Sequence, residues 1–151
     1  MKIVYVDMDN VLVDFPSGIA RVPESIRSNY EDRLDEVPGI FGLMEPMPYA
    51  IESYEFLAKH FDTYILSTAP WHNPSAWSDK LLWVQKHLGQ VAYKRLILSH
   101  HKNLNDGHYL IDDRTKNGAD RFRGTHLHFG TPEFLDWPAV VAYLKAQIKE
   151  A

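Results

Sequence analysis

The residues best suited to chemistry are acids, hydroxyls and a lysine, set along the chain in a suggestive order. Asp7 and Asp9 close an apolar run at the amino terminus, Ile3-Val4-Tyr5-Val6. Side chains two apart on an extended chain share a face, so both acids can reach one site while Met8 points elsewhere. Ser67 and Thr68 end a second apolar run, Lys102 follows a third, and Asp112-Asp113-Arg114 ends a fourth. Singly, each has a plainer reading: an acidic turn, a capping pair, a solvated lysine. Together they suit a phosphoryl group and a divalent cation. Carboxylates are the hard oxygen ligands magnesium takes, while lysine and hydroxyls bring positive charge and hydrogen bonds to phosphate oxygens. An aspartate is already ionised at neutral pH and can attack phosphorus without a base, provided a cation and a lysine offset its repulsion from a dianionic monoester.

The elements that must carry these residues follow from periodicity. Residues 2–6, Thr63–Leu66, Arg95–Leu98, His108–Ile111 and Thr125–Phe129 read as strands, rich in β-branched and aromatic residues. Helical spacing marks Tyr49–His60 and, between the Asn73-Pro74 opening and the Gly89 stop, a helix over Pro74–Leu88. In that helix Trp77, Leu81, Val84 and Leu88 fall on one face, the expected core stripe. A last helix runs from about Pro138 to Lys149, opened by Asp136. Strands alternating with helices or long crossovers predict an α/β fold, a three-layer α/β/α Rossmann-like parallel sheet with ligands at the carboxyl edge of the strands. Asp7, Ser67, Lys102 and Asp112 all fall at that edge.

Between Phe15 and Tyr49 the period is lost to prolines and glycines, with one short helix near Glu24–Leu34. This stretch reads as a small insertion, giving a core of residues 1–15 and 49–151 and a cap over 16–48. At 151 residues and 17.5 kDa there is room for one such domain. A net charge of -4 argues against a nucleic-acid polymer or an anionic membrane as partner. Thiolate chemistry, disulfides and cysteine zinc sites are excluded by the absence of cysteine. No apolar run is long enough to span a bilayer, so the expected location is cytoplasmic. His126 and His128 share a strand face, and His100 with His101 adjoins Lys102. With no clear third ligand, partly buried or solvated histidines are a plainer reading than zinc.

The order and spacing of Asp7-Met8-Asp9-Asn10-Val11, Ile65-Leu66-Ser67-Thr68, Lys102 and Leu110-Ile111-Asp112-Asp113-Arg114 resemble the haloacid dehalogenase (HAD) superfamily of phosphohydrolases. Within it, Asp7 to Phe15 and the run from Leu98 to Arg114 are most similar to the 5'(3')-deoxyribonucleotidases. The resemblance implies a HAD-like core with a helical cap after the first strand, and magnesium-dependent dephosphorylation of deoxyribonucleoside monophosphates. Asp7 would then form an aspartyl-phosphate and Asp9 would serve as acid and base. Ser67 and Thr68 would hold phosphate oxygens, and Lys102 would bridge phosphate and nucleophile. Metal ligands would be Asp7, Asp112 and the backbone carbonyl of Asp9, with Asp113 behind them. Phe15, Phe41 and Arg114 are the expected substrate or base contacts. The relatives commonly have glycine where this chain has Asn10, a residue that tolerates left-handed backbone. Two other readings stay open on sequence: a phosphatase of broad specificity acting on sugar phosphates, and a noncatalytic module that binds a phosphorylated ligand.

Overall fold

The computed structural model describes residues 1–149, so the expected core boundary at Ala151 lies outside the described residues. From β1 (Ile3–Val6) the chain turns through a tight loop into the two-residue strand β2 (Val13–Asp14). Two short helices follow, α1 (Phe15–Ala20) and α2 (Glu24–Arg27), and β3 (Glu45–Pro46) returns to pair antiparallel with β2. The insertion therefore leaves and re-enters through one small ribbon. Then come α3 (Ala50–His60), β4 (Asp62–Ser67), α4 (Pro74–His87), β5 (Leu96–Leu98), β6 (Tyr109–Asp112), β7 (Thr125–His128) and α5 (Trp137–Lys149). The main sheet has the order β5-β4-β1-β6-β7, with every pairing parallel. β1 lies in the middle, and the chain builds the sheet outward from it in both directions. The carboxyl end of β1 is thus the switch point at which such sheets open a crevice.

Alternation along the strands sends side chains to two cores. Val4, Val6, Ile65, Ile111 and Leu127 pack with Ala50, Tyr54 and Leu57 of α3, Trp83 and Val84 of α4, and Val140 and Leu144 of α5. Tyr5, Leu66 and Leu110 point the other way, onto Ala119 and Phe122. Burying side chains such as Leu57, Ile65 and Ile111 completely contributes roughly 1.5–3 kcal/mol each. The second face is covered by the β6–β7 crossover, whose regular structure is a 3-10 turn over Ala119–Arg121, so the third layer is thinner than helices on both faces would make it.

Three local expectations are corrected. The helix expected near Glu24–Leu34 ends at Arg27 and buries none of its residues; without an apolar stripe it has nothing to extend against. Further along, 3-10 turns form over Leu34–Glu36 and Ile40–Gly42. Asn73 opens α4 without a side-chain cap bond; its amide instead donates to the carbonyls of Asp35 (2.9 Å) and Val37 (3.1 Å), tying the insertion to the core. The core face of α4 takes in Val84, Leu88 and a partly buried Trp77, as expected, but not Leu81. Ala76, Lys80, Trp83 and Val84 are its buried residues, while Leu81 is 46% exposed and lines a groove of about 770 Å³ with Trp77, beside β5.

Candidate active site

β1 delivers Asp7 to the crevice, where its N–H donates to the Ile111 carbonyl of β6 at 2.9 Å. Beyond it the chain folds back tightly, with the N–H groups of Val11, Leu12 and Val13 converging on the Met8 carbonyl at 3.0, 2.9 and 2.9 Å. Such a turn needs left-handed backbone, and Asn10 supplies it with φ 61°. The buried Trp137 indole of α5 donates to the Val11 carbonyl at 2.8 Å and fixes the turn to the core. Met8 is turned into the core, and Asp7 and Asp9 line a small cleft with Thr68, Lys102, Asp112, Arg114, Lys116 and Asn117.

Lys102 is 3% exposed, and its Nζ donates to Asp7 Oδ1 at 3.0 Å and to Asp112 Oδ2 at 2.6 Å. The turn that carries it is fastened by its own N–H on the Asn117 carbonyl at 2.7 Å. Gly118, with φ 82°, packs there so closely that a Cβ would collide with the Asn103 side chain. The other oxygen of Asp112 accepts the Arg114 N–H at 3.0 Å, so both its oxygens are engaged. Asp113 differs: its Oδ1 is buried without a hydrogen-bond partner. Asp7, Asp112 and Asp113 each bring a carboxylate oxygen within 4.8 Å of the others.

Burial pushes the Asp7 carboxyl up, but the charge and hydrogen bond of Lys102, helped by Lys80, more than offset this and hold it below the ordinary range. Asp7 is therefore ionised, as a nucleophile must be. Burial and then repulsion from Asp7 push Asp112 up to about 6, against the pull of Lys102. The same two causes, with a hydrogen bond to Asp7 and then the charge of Asp112 adding to them, push Asp113 up to about 7. Acids so crowded, one with an unpartnered oxygen, have the donor set that a hard divalent cation satisfies. The residues present fit a metal site.

The remaining expected residues divide. Ser67 is fully buried, and its Oγ accepts a hydrogen bond from Lys80 Nζ at 2.8 Å; Thr68 lines the cleft and donates to the Ser99 carbonyl at 2.8 Å. Arg114 is exposed at the cleft. Phe15 and Phe41 meet edge to face at 5.9 Å, and Phe41 is 2% exposed, its ring 4.5 Å from Lys80 Nζ. Lys80 is the residue that sequence reasoning missed. It has no exposed surface and donates to Asp9 Oδ1 at 3.0 Å as well as to Ser67. The signal was a lysine one helical turn from Trp83 and Ala76, on a face that reads as polar only if the lysine is assumed to be solvated. His126 and His128 stack with ring centroids 5.2 Å apart, and their Nε2 atoms bond the backbone carbonyls of Asp112 (3.0 Å) and Asp113 (2.9 Å). They brace the acid pair from behind. Burial pushes His126 down, which favours the neutral ring whose Nε2–H can donate to a carbonyl.

With this geometry established, comparison with known proteins gives concordant matches. The family described as "5' nucleotidase, deoxy (Pyrimidine), cytosolic type C protein" matches residues 21–137. A protein of Vibrio phage KVP40 named "Putative 5'(3')-deoxyribonucleotidase" is 65% identical over 147 residues, covering 97% of this chain and 86% of that protein. A Bordetella bronchiseptica protein of the same name is 33% identical over 156 residues, covering 86% and 84%. Among solved structures, a haloacid dehalogenase-like family hydrolase from Streptococcus pneumoniae superposes with a TM-score of 0.58 over 100% of this chain and 99% of its own, at 15% identity. That likeness carries the fold.

Proposed function

Because the chain belongs to the type C deoxyribonucleotidase family of HAD-like hydrolases, and is thus a nucleotidase, a phosphoric monoester hydrolase, we propose that it dephosphorylates deoxyribonucleoside 5'- and 3'-monophosphates in two covalent steps. Asp7 attacks phosphorus and the P–O bond to the leaving alcohol breaks, Asp9 giving its proton to the departing oxygen. Water then attacks the aspartyl-phosphate, its proton passes to Asp9, and inorganic phosphate leaves with Asp7 regenerated. Lys102, fixed between Asp7 and Asp112, faces the charge that builds on the phosphoryl oxygens. Ser67, fully buried, accepts from Lys80 and so keeps its own O–H to donate toward a phosphate oxygen; Thr68 lines the cleft, with its hydroxyl engaged by the Ser99 carbonyl.

The proposed metal is magnesium, which Asp7, the backbone carbonyl of Asp9 and the Asp112–Asp113 pair would hold. Within the pair, Asp113 has the free oxygen, and Asp112 is the one occupied by Lys102 and Arg114 N–H. When bound, it supplies charge neutralisation at the phosphoryl oxygens. Residues 16–48 act as a cap on the core of residues 1–15 and 49–151, with Phe15 and Arg114 as substrate contacts and Phe41 beneath them. The occupant is a mononucleotide, not a polymer. The cytosolic class of the matched family supports a cytoplasmic location, and among the described residues no helix is long and apolar enough to cross a membrane.

The observation that carries this reading is the Lys102 bridge, which keeps a nucleophile ionised inside an acid cluster. Its test is phosphate release from a panel of nucleoside monophosphates and sugar phosphates, in magnesium and in chelator. Release from the deoxyribonucleotides should lead the panel and vanish with chelator. Preference for sugar phosphates would overturn the substrate assignment, and chelator-resistant release would overturn the metal.

A further inference from the structure

Lys80 is held on three sides. Its ammonium donates to Asp9 Oδ1 at 3.0 Å and to Ser67 Oγ at 2.8 Å, and lies 4.5 Å from the ring centroid of Phe41. It has no exposed surface, although it comes from the middle of a fourteen-residue helix. A buried ammonium is costly unless its donors are satisfied, and here two hydrogen bonds and an aromatic face satisfy it. Each partner belongs to a different element: the turn after β1, the tip of β4, and the 3-10 turn of the insertion over Ile40–Gly42. The Lys102 bridge touches Asp7 and Asp112 and leaves Asp9 alone. Among the described residues Lys80 is the side chain that fixes Asp9, and it does so through one oxygen.

Resting on the nucleotidase reading above, we propose that Lys80 is a positioning residue for proton transfer: by holding Asp9 Oδ1 it leaves Oδ2 as the oxygen that meets the leaving group and, later, the attacking water. In the first step the P–O bond to the alcohol breaks as the Oδ2 proton moves to the departing oxygen. In the second, the bond between phosphorus and Asp7 breaks as water adds, and its proton returns to Oδ2. Phe41 closes the pocket from the insertion side, so the cap is coupled to the acid through a single ammonium.

Leaving-group dependence separates this role from a structural one. A nucleotide or 2-deoxyribose 5-phosphate expels an alkoxide that needs a proton, whereas p-nitrophenyl phosphate expels a phenolate that does not. Wild type and Lys80→Met are compared in magnesium, with enzyme in excess so that single-turnover cleavage is read, and folding is checked by thermal unfolding. Cleavage of the alkyl esters should fall roughly 10²-fold or more, the scale of general-acid catalysis, while p-nitrophenolate release stays near the wild-type rate. Steady-state aryl turnover should nevertheless slow, because Asp9 must still take the proton from water. Lys80→Gln, which keeps an amide donor, should give the same pattern with a smaller alkyl loss and serves if the methionine variant does not fold. Equal losses on alkyl and aryl esters, or no loss on either, overturn the proposal. A wild type that cleaves 2-deoxyribose 5-phosphate but no nucleotide would overturn the substrate assignment instead, leaving the Lys80 comparison intact.

Discussion

Lys102 and Lys80 are both buried ammoniums at the same crevice, and they do opposite work. Lys102 comes from a loop beyond β5 and spans two carboxylates, which on the proposed mechanism gathers negative charge around the phosphoryl end of the cleft. Lys80 comes from the interior of α4 and holds one carboxylate, one hydroxyl and one ring, which on the proposed mechanism orders the proton-transfer end. In that mechanism a charge in a low-dielectric site serves once for electrostatics and once for geometry. The lesson is that burial alone does not identify the role of a lysine; the number of charges it faces does.

The sharpest break of this contrast lies at the residue shared by the acid cluster and Lys102. Asp7→Asn removes the nucleophile and should lower kcat by at least about 10⁴-fold, comparable to the loss of a nucleophile in other covalent enzymes, as read by phosphate release. Lys102→Met should cost roughly 10²–10³ in kcat on alkyl and aryl esters alike, since stabilisation of the phosphoryl group serves both. It should also cost about 3–5 kcal/mol of stability in denaturant unfolding, because two buried carboxylates lose their counter-charge. Lys80→Met should unfold near the wild-type midpoint, as Asp9 retains 22% side-chain exposure and can be solvated.

A smaller effect tests the asymmetry within the acid pair. Asp113→Asn should weaken magnesium binding, measured by calorimetry, more than Asp112→Asn does. Removing either brace, by His126→Ala or His128→Ala, should weaken it by about 10–100-fold, the usual cost of losing a group that orients a ligand. The acid pair also shapes the stability of the intact protein. In the metal-free form Asp112 (about 6) and Asp113 (about 7) keep protons that the unfolded chain has already released, so stability should fall as pH rises from about 4 to 7. Asp7, held down by Lys102, contributes the other way and only below its ordinary range. Above pH 7, magnesium at about 100 times its dissociation constant should add about 2.7 kcal/mol, or about 5–10 °C in Tm.

Much of this site could be read from the chain because it is built from strand tips. Period-two alternation located the strand tips within a residue or so, with Asp7 and Asp112 at or next to two of them; Asp9 and Lys102 lie beyond the tips and were picked out by the order of the whole set and the family resemblance it carries. Asn10 was legible through the resemblance: the relatives commonly have glycine there, asparagine tolerates left-handed backbone, and the structure gives it φ 61°. Lys80 was hidden by the rule that lysines are solvated, and apolar spacing alone put Leu81 in the core stripe of α4, where it is exposed. The two histidines were hidden because their partners are backbone carbonyls, which leave no mark in a sequence. In the insertion, α1 was overlooked although its signals were present: Asp14 accepts from Ser17 N–H, and proline sits in the first turn.

The central claim, that Asp7 carries the phosphoryl group, is tested most directly by rapid acid quench during turnover of a deoxyribonucleoside monophosphate in magnesium, followed by peptide mass spectrometry. The expected result is a phosphorylated peptide containing Asp7, absent in Asp7→Asn, and more abundant in Asp9→Asn when p-nitrophenyl phosphate, whose leaving group needs no proton, is the phosphoryl donor. Phosphate found on another residue, or turnover in Asp7→Asn at the wild-type rate, would contradict the account.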